Sequence, residues 1–224
     1  MKELSVTRLD AAVVAAADIP ALMDEAGVEF QKIDSLNWPD WPYRPEAAFR
    51  IAHTGDAILL HYVVSEEAVR AVAPEDNGRV WEDSCVEFFV SPADDGIYYN
   101  VECNCAGQLL IGGGEGRNGR SHAPRQILDG VDRWASLGRA PFDTRAGQQT
   151  WQVALRVPVS AFFMHAASPT AAPCAPTFTS AATFCPVLIS CRGTPLVCRA
   201  PISTVPRSSA RCVFCDGAES SSQL

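Results

Sequence analysis

Residues 80–92 read V-W-E-D-S-C-V-E-F-F-V-S-P, and the fold is decided here. Val86 to Val90 is a short run of Val and Phe closed by Ser91-Pro92, which predicts a strand rather than a helix. A carboxylate inside such a run needs a partner or a ligand, because burying an uncompensated charge is costly. Trp81 stands at the strand's entrance, a natural place for an exposed aromatic platform. The plainer alternative is a core Trp81 and an ion-paired Glu87.

The next strand is expected over Tyr98 to Cys105, joined through Ala106-Gly107 to another over Gln108 to Ile111. Tyr99, Val101, Cys103 and Cys105 form its apolar face, with the two thiols buried rather than metal-bound. Tyr98, Asn100, Glu102 and Asn104 form the other. Four polar or amphipathic groups in a row read either as a plain solvated face or as a surface that contacts several hydroxyls at once, since carboxylates and amides accept and donate together. Farther out, strands are expected over Leu4 to Leu9, Phe49 to Ala52, Ile58 to Val64 and Trp134 to Leu137. Trp151 to Val157 alternates cleanly, with Trp151, Val153, Leu155 and Val157 on one face. Ile19 to Ala26 reads as a short helix closed by Gly27, and Ser65-Glu66-Glu67 as the opening of one helical turn. Many short strands, tight turns and little helix predict an all-β fold, an antiparallel β-sandwich.

The 224 residues carry a net charge of -8, enough chain for one domain or a domain and a tail. An acidic chain without a basic cluster argues against nucleic acid as a partner. No apolar run approaches the roughly 20 residues of a membrane span. Ala11 to Ala17, flanked by Asp10 and Asp18, is too short for a signal peptide. The expectation is a soluble, cytoplasmic protein. The alphabet changes near residue 165: from 166 onward, 38 of 59 residues are Ala, Pro, Ser, Thr or Cys, with no Trp, Tyr or Lys. The organisation expected is therefore 1–165 as the domain and 166–224 as a low-complexity tail. Seven prolines in the tail argue against a central strand there, and its lone Cys212-Val213-Phe214-Cys215 has neither a second pair nor a histidine to build a zinc site.

The glycine-rich run Gly112 to Gly119 lacks the phosphate-loop pattern and reads as a surface loop, or as a rim loop whose Arg117 reaches a polar ligand. Glu87 and Glu102 could also be drawn as the acid and base of a glycoside hydrolase, although nothing in the sequence sets their separation. His53, His61, His122 and His165 show no metal-ligand spacing.

The block Val80 to Pro92 resembles the family 9 carbohydrate-binding modules, in the branch called family 9-like. So do Y-Y-N-V-E-C-N-C-A-G (Tyr98 to Gly107), N-W-P-D-W-P-Y-R-P-E (Asn37 to Glu46) and W-Q-V-A-L-R-V-P (Trp151 to Pro158). The likeness covers roughly residues 1–165. It implies a non-catalytic β-sandwich that binds mono- or oligosaccharides and is often attached to glycoside hydrolases of carbohydrate catabolism. Trp81 matches an aromatic that stacks on the sugar, and Glu87 matches a polar contact. Glu102 and Asn104 join them by strand alternation, and Arg117 from the glycine-rich loop. The family can also bind calcium, with no ligands placed here. A haem- or cofactor-binding sandwich of related fold is the rival, with His61 or His122 as the axial candidate. The tail departs from the family, whose closing strands and late tryptophan are missing. Reading from the boundary of Ala175 and Pro176 in a shifted frame permits that closing block. The tail therefore reads as disordered or frame-shifted, and the sandwich as incomplete at its C-terminus.

Overall fold

A computed structural model describes residues 4–10, 14–36, 43–93, 95–165, 183–189, 195–197 and 202–203. In chain order the strands begin with β1 (Leu4–Ser5), β2 (Thr7–Arg8), β3 (Gln31–Lys32) and β4 (Ser35–Leu36). The long β5 (Glu46–His53) and β6 (Ala57–Ala71) follow. Then come β7 (Cys85–Ser91), β8 (Tyr98–Asn104), β9 (Leu109–Gly114), β10 (Ser121–His122), β11 (Asp132–Ala135) and β12 (Phe142–Pro158). The last are β13 (Thr183–Ile189), β14 (Pro195–Val197) and β15 (Ile202–Ser203). Two α-helices, α1 (Ile19–Glu25) and α2 (Arg125–Asp129), are described.

The strands form two sheets. One runs β1-β15-β13-β7-β8-β9-β10, with β14 and β4 beside β13, and the other runs β11-β12-β6-β5-β2, with β3 on β5. Most pairs are antiparallel; β1–β15 and β2–β5 are parallel. The sheets meet through apolar faces, of which those on β8 and β12 are the ones alternation predicts. Val86, Phe88 and Val90 of β7 and Tyr99, Val101 and Cys103 of β8 pack with Phe49, Leu60, Tyr62, Trp151, Val153 and Leu155 of the second sheet. Fully burying side chains of this size contributes roughly 1.5–3 kcal/mol each. Burial also pushes the Cys103 thiol up to about 12, and Cys105 is raised by burial too, as expected of inert core cysteines. α1 covers the back of the second sheet: its Ile19 and Met23 pack with Ala52, Leu59 and Ala154. Gly27 ends it at φ +66, a conformation that other residues adopt at a cost.

Three local expectations are corrected. Ser65-Glu66-Glu67 does not turn into a helix; β6 runs straight through it to Ala71, paired to β12 with Ser65 opposite Thr150 and Glu66 opposite Gln149. The cause is long-range, because the buried Glu66 accepts a hydrogen bond from Trp151 Nε1 at 2.8 Å. The glycine-rich run is not a loop throughout, since Gly112–Gly114 belong to β9 and pair with Asn100, Tyr99 and Tyr98 of β8. The tail does supply strands: β13 lies against the whole of β7, from Thr183 opposite Ser91 to Ile189 opposite Cys85. Pro186 is opposite Phe88 and, on its other flank, falls between Phe184, paired to β15, and Val187, paired to β14. A proline is tolerated where one flank needs no ladder bond. The aromatic block around Trp38 and Trp41 lies outside the described residues.

Candidate functional site

The outward face of β7, β8 and β9 gathers the unusual chemistry. Pairing puts Glu87 directly opposite Glu102 and Leu110 beyond it; the next row is Phe89, Asn100 and Gly112. Residues directly opposite on neighbouring strands share a face and are near neighbours. Glu87 and Glu102 are only 7% and 6% exposed, and among the described residues neither forms an ion pair. Burial, and then the charge of Glu102, raises the Glu87 carboxyl well above the usual carboxylate range. Burial pushes the Glu102 carboxyl up to about 7, opposed by a hydrogen bond from Asn100 and by the charges of Arg120 and Arg117.

Asn100 donates through Nδ2 to Oε1 of Glu102. Oε2 of Glu102 and Oδ1 of Asn100 reach no hydrogen-bond partner among the described residues. Both are acceptors, and unpaired buried acceptors are uncommon. Beside them Arg120 lies over the Tyr98 ring, with Cζ 4.5 Å from its centroid, and over Phe89 at 5.9 Å. Arg120 also donates to the Tyr98 hydroxyl, and through Nε to the Gly116 carbonyl at 3.1 Å. This packing explains the glycines of β9. A Cβ at Gly112 would come within 2.6 Å of Asn100 Oδ1 and 3.4 Å of Arg120 Cδ.

Trp81 sits in the 3-10 turn Val80–Glu82 that leads into β7 and is 41% exposed, so it is not a core residue. Sequence reasoning missed what holds that turn. Asp83 is fully buried and accepts from the amides of Val72 and Ala73 at 2.9 and 3.0 Å, and from Asn104 Nδ2 at 2.9 Å. The Oδ1 of Asn104 accepts from the amides of Ala106 and Gln108, at 3.1 and 2.9 Å. Asn104 thus ties the β8–β9 turn to the Trp81 turn rather than standing open beside the glutamates. A buried-looking Asp-Ser pair between an aromatic and a strand was the only signal available. Of the five predicted site residues, the fold brings Glu87 and Glu102 together. It leaves Arg117 exposed on the loop after β9, where its charge still reaches both carboxyls.

The other candidates fare differently. His61 is buried with both ring nitrogens engaged: Arg50 Nε lies 3.0 Å from Nδ1 and Gln152 Oε1 lies 2.9 Å from Nε2. It offers no axial ligand, and His122 is exposed on β10. Among the described residues no three His, Cys, Asp or Glu side chains gather as a metal site. A concavity of about 550 Å³ opens on the second sheet, lined by Phe30, Lys32, Arg44, Glu46 and Val63 among others. Its lining includes neither Glu87 nor Glu102. No described helix is long and apolar enough to cross a membrane.

Comparison with known proteins identifies a family. The family model described as Carbohydrate-binding family 9 matches residues 17–175. A solved structure from Bacteroides uniformis, provisionally assigned as a carbohydrate-binding protein, is 43% identical, covers 94% of each chain and superposes with a TM-score of 0.81. A family 9 carbohydrate-binding module from Caldicellulosiruptor kristjanssonii, in complex with cellotriose, is 12% identical. It covers 88% of this chain and 83% of its own, with a TM-score of 0.50, a likeness of fold. No curated protein matches.

Proposed function

Because the chain belongs to carbohydrate-binding family 9, we propose that it is a non-catalytic module that binds a mono- or oligosaccharide at the β7–β8 face. The observation that carries the reading is the buried Glu87–Glu102 pair with two unpaired acceptors beside it. Sugar hydroxyls are the donors such a face lacks. Glu87 and Glu102 accept from hydroxyls, Arg117 donates from the rim, and the half-exposed Trp81 stacks on the apolar face of the ring. Asn104 acts through the turn it holds. Stacking and charge-assisted hydrogen bonds act together, since one gives affinity and the other orientation. The expected setting is carbohydrate catabolism beside glycoside hydrolases.

Trp81→Ala is expected to weaken sugar binding by about 1–3 kcal/mol, the loss of one aromatic anchor. Titration calorimetry against a panel of mono- and disaccharides with cellotriose measures it. Unchanged affinity would remove Trp81 from the site. Hydrolysis of the same panel, lost in Glu87→Gln and Glu102→Gln, would replace this reading by the enzyme.

The domain organisation belongs to the same proposal: a module to about residue 165 and a tail whose natural continuation lies in another frame, with β13 as the strand that the tail as written lays against β7. The family match, which runs in the given frame to residue 175, supports a shift at that boundary and carries the module about ten residues past the composition break. Sequencing the gene across these codons decides it. An uninterrupted, confirmed frame through Leu224 would refute the shift.

A further inference from the structure

We propose that Glu87 and Glu102 hold one proton between them when the site is empty, and that a bound sugar expels it. The inference rests on the binding face proposed above and adds its regulation: affinity that rises with pH.

The geometry sets the pair apart from an ordinary polar face. The two residues are direct partners across β7 and β8, so their side chains leave the sheet side by side. Both are more than nine-tenths buried. Two carboxylates held this way cannot both ionise without cost, because like charges in a poorly solvated place repel strongly. The groups facing them from every neighbouring element give little relief. On β7 there is Cys85, a buried thiol whose own titration is pushed up by burial and by both glutamates. On β8 there are Tyr98 and Asn100, and Asn100 has committed a donor to Oε1 of Glu102. β9 contributes Leu110 and Gly112, which carry no charge. β13 places Val187 opposite Glu87. The cations are Arg120, already bound to Tyr98 and Gly116, and the exposed Arg117.

A proton on one carboxyl lowers the repulsion but removes an acceptor. Sugar hydroxyls reverse the preference. Each donates its hydrogen to a carboxylate oxygen, and hydrogen bonds to the charged form favour ionisation. Oε2 of Glu102 and Oδ1 of Asn100 wait for such donors. No covalent bond is made or broken; the proton passes to water and buffer, and the sugar takes its place.

The test is titration calorimetry of the full chain with cellotriose and with glucose near pH 7, in two buffers of different protonation enthalpy. The expected result is an apparent enthalpy that differs between buffers, in the sense of about one proton released. Affinity should rise by up to about tenfold per pH unit below the pair's titration, then level off. In the double variant Glu87→Gln/Glu102→Gln the buffer dependence should vanish, whereas in Glu102→Gln alone burial still favours a proton on Glu87. Sugar binding with the same enthalpy in both buffers would overturn the proton linkage while leaving the binding face in place. Proton release that persists in Glu87→Gln/Glu102→Gln would move the proton elsewhere and overturn it too. Absence of binding by any sugar would overturn this inference and the proposed function together. Should the double variant bind too weakly to titrate, the two-buffer comparison on the unaltered chain alone decides.

Discussion

Glutamine at position 102 is expected to make the empty protein more stable and its sugar complex weaker. In the folded chain the Glu102 carboxyl titrates at about 7 instead of 4.5, chiefly because it is buried. Between those values the folded state keeps a proton that the unfolded chain has lost. Stability therefore falls as pH rises through that window and stays low above it. Glutamine has the same shape and no charge to lose. At pH 5 the variant should lead the parent by no more than about 1 kcal/mol. Above pH 7 it should gain on the order of 3 kcal/mol, equivalent to a melting temperature higher by several degrees. The hydrogen bond from Asn100 survives, since the amide oxygen still accepts. Sugar hydroxyls meanwhile lose a charged acceptor, which should cost about 1.5–3 kcal/mol of affinity. Thermal melts at pH 5 and 8.5, with calorimetry at the higher pH, measure both. A variant less stable than the parent at pH 8.5 would show that the carboxylate is held by a structural cation. A more stable variant with unchanged affinity would separate the pair from binding.

Deleting residues 183–224 is expected to have the largest effect on the fold. It removes β13, which lies opposite seven residues of β7, from Cys85 to Ser91. β7 would become an exposed edge carrying Val86, Phe88 and Val90, and such an edge pairs readily with other chains. Opening three buried side chains at roughly 1.5–3 kcal/mol each would consume most of a typical stability of about 5–15 kcal/mol. The truncated chain should aggregate or lose its cooperative melt, and with it any sugar binding at Glu87. Size-exclusion chromatography and thermal melts of both chains test this. A monomeric, cooperatively melting truncation would show that the sandwich closes without the tail, as the composition break near residue 165 suggests.

Much of this protein follows from local pattern. Two-residue alternation assigned Trp151, Val153, Leu155 and Val157 to a buried face, and all four are buried. The same rule put Glu102 on the face opposite Cys103, and the core contains Cys103 but not Glu102. The period of a strand is a property of the chain itself, so a sequence displays it. Register is not. That Glu87 lies across from Glu102, with Asn100 bracing one of them, depends on how β7 slides along β8; a slip of one residue would send one glutamate to the other face. Only the packing of the two sheets fixes that choice. The same reason explains the departures. Ser65 to Ala71 stays extended because β12 lies alongside, with Trp151 bonded to Glu66 across 85 residues of chain. Gly112 and Gly114 belong to a strand because Asn100 and Arg120 need the space a side chain would fill. Asp83 and Asn104 are anchors of the Trp81 turn because the chain ends they tie, 21 residues apart, meet only in the fold. Local sequence sets which face a residue takes; contacts between distant segments set which residues share that face.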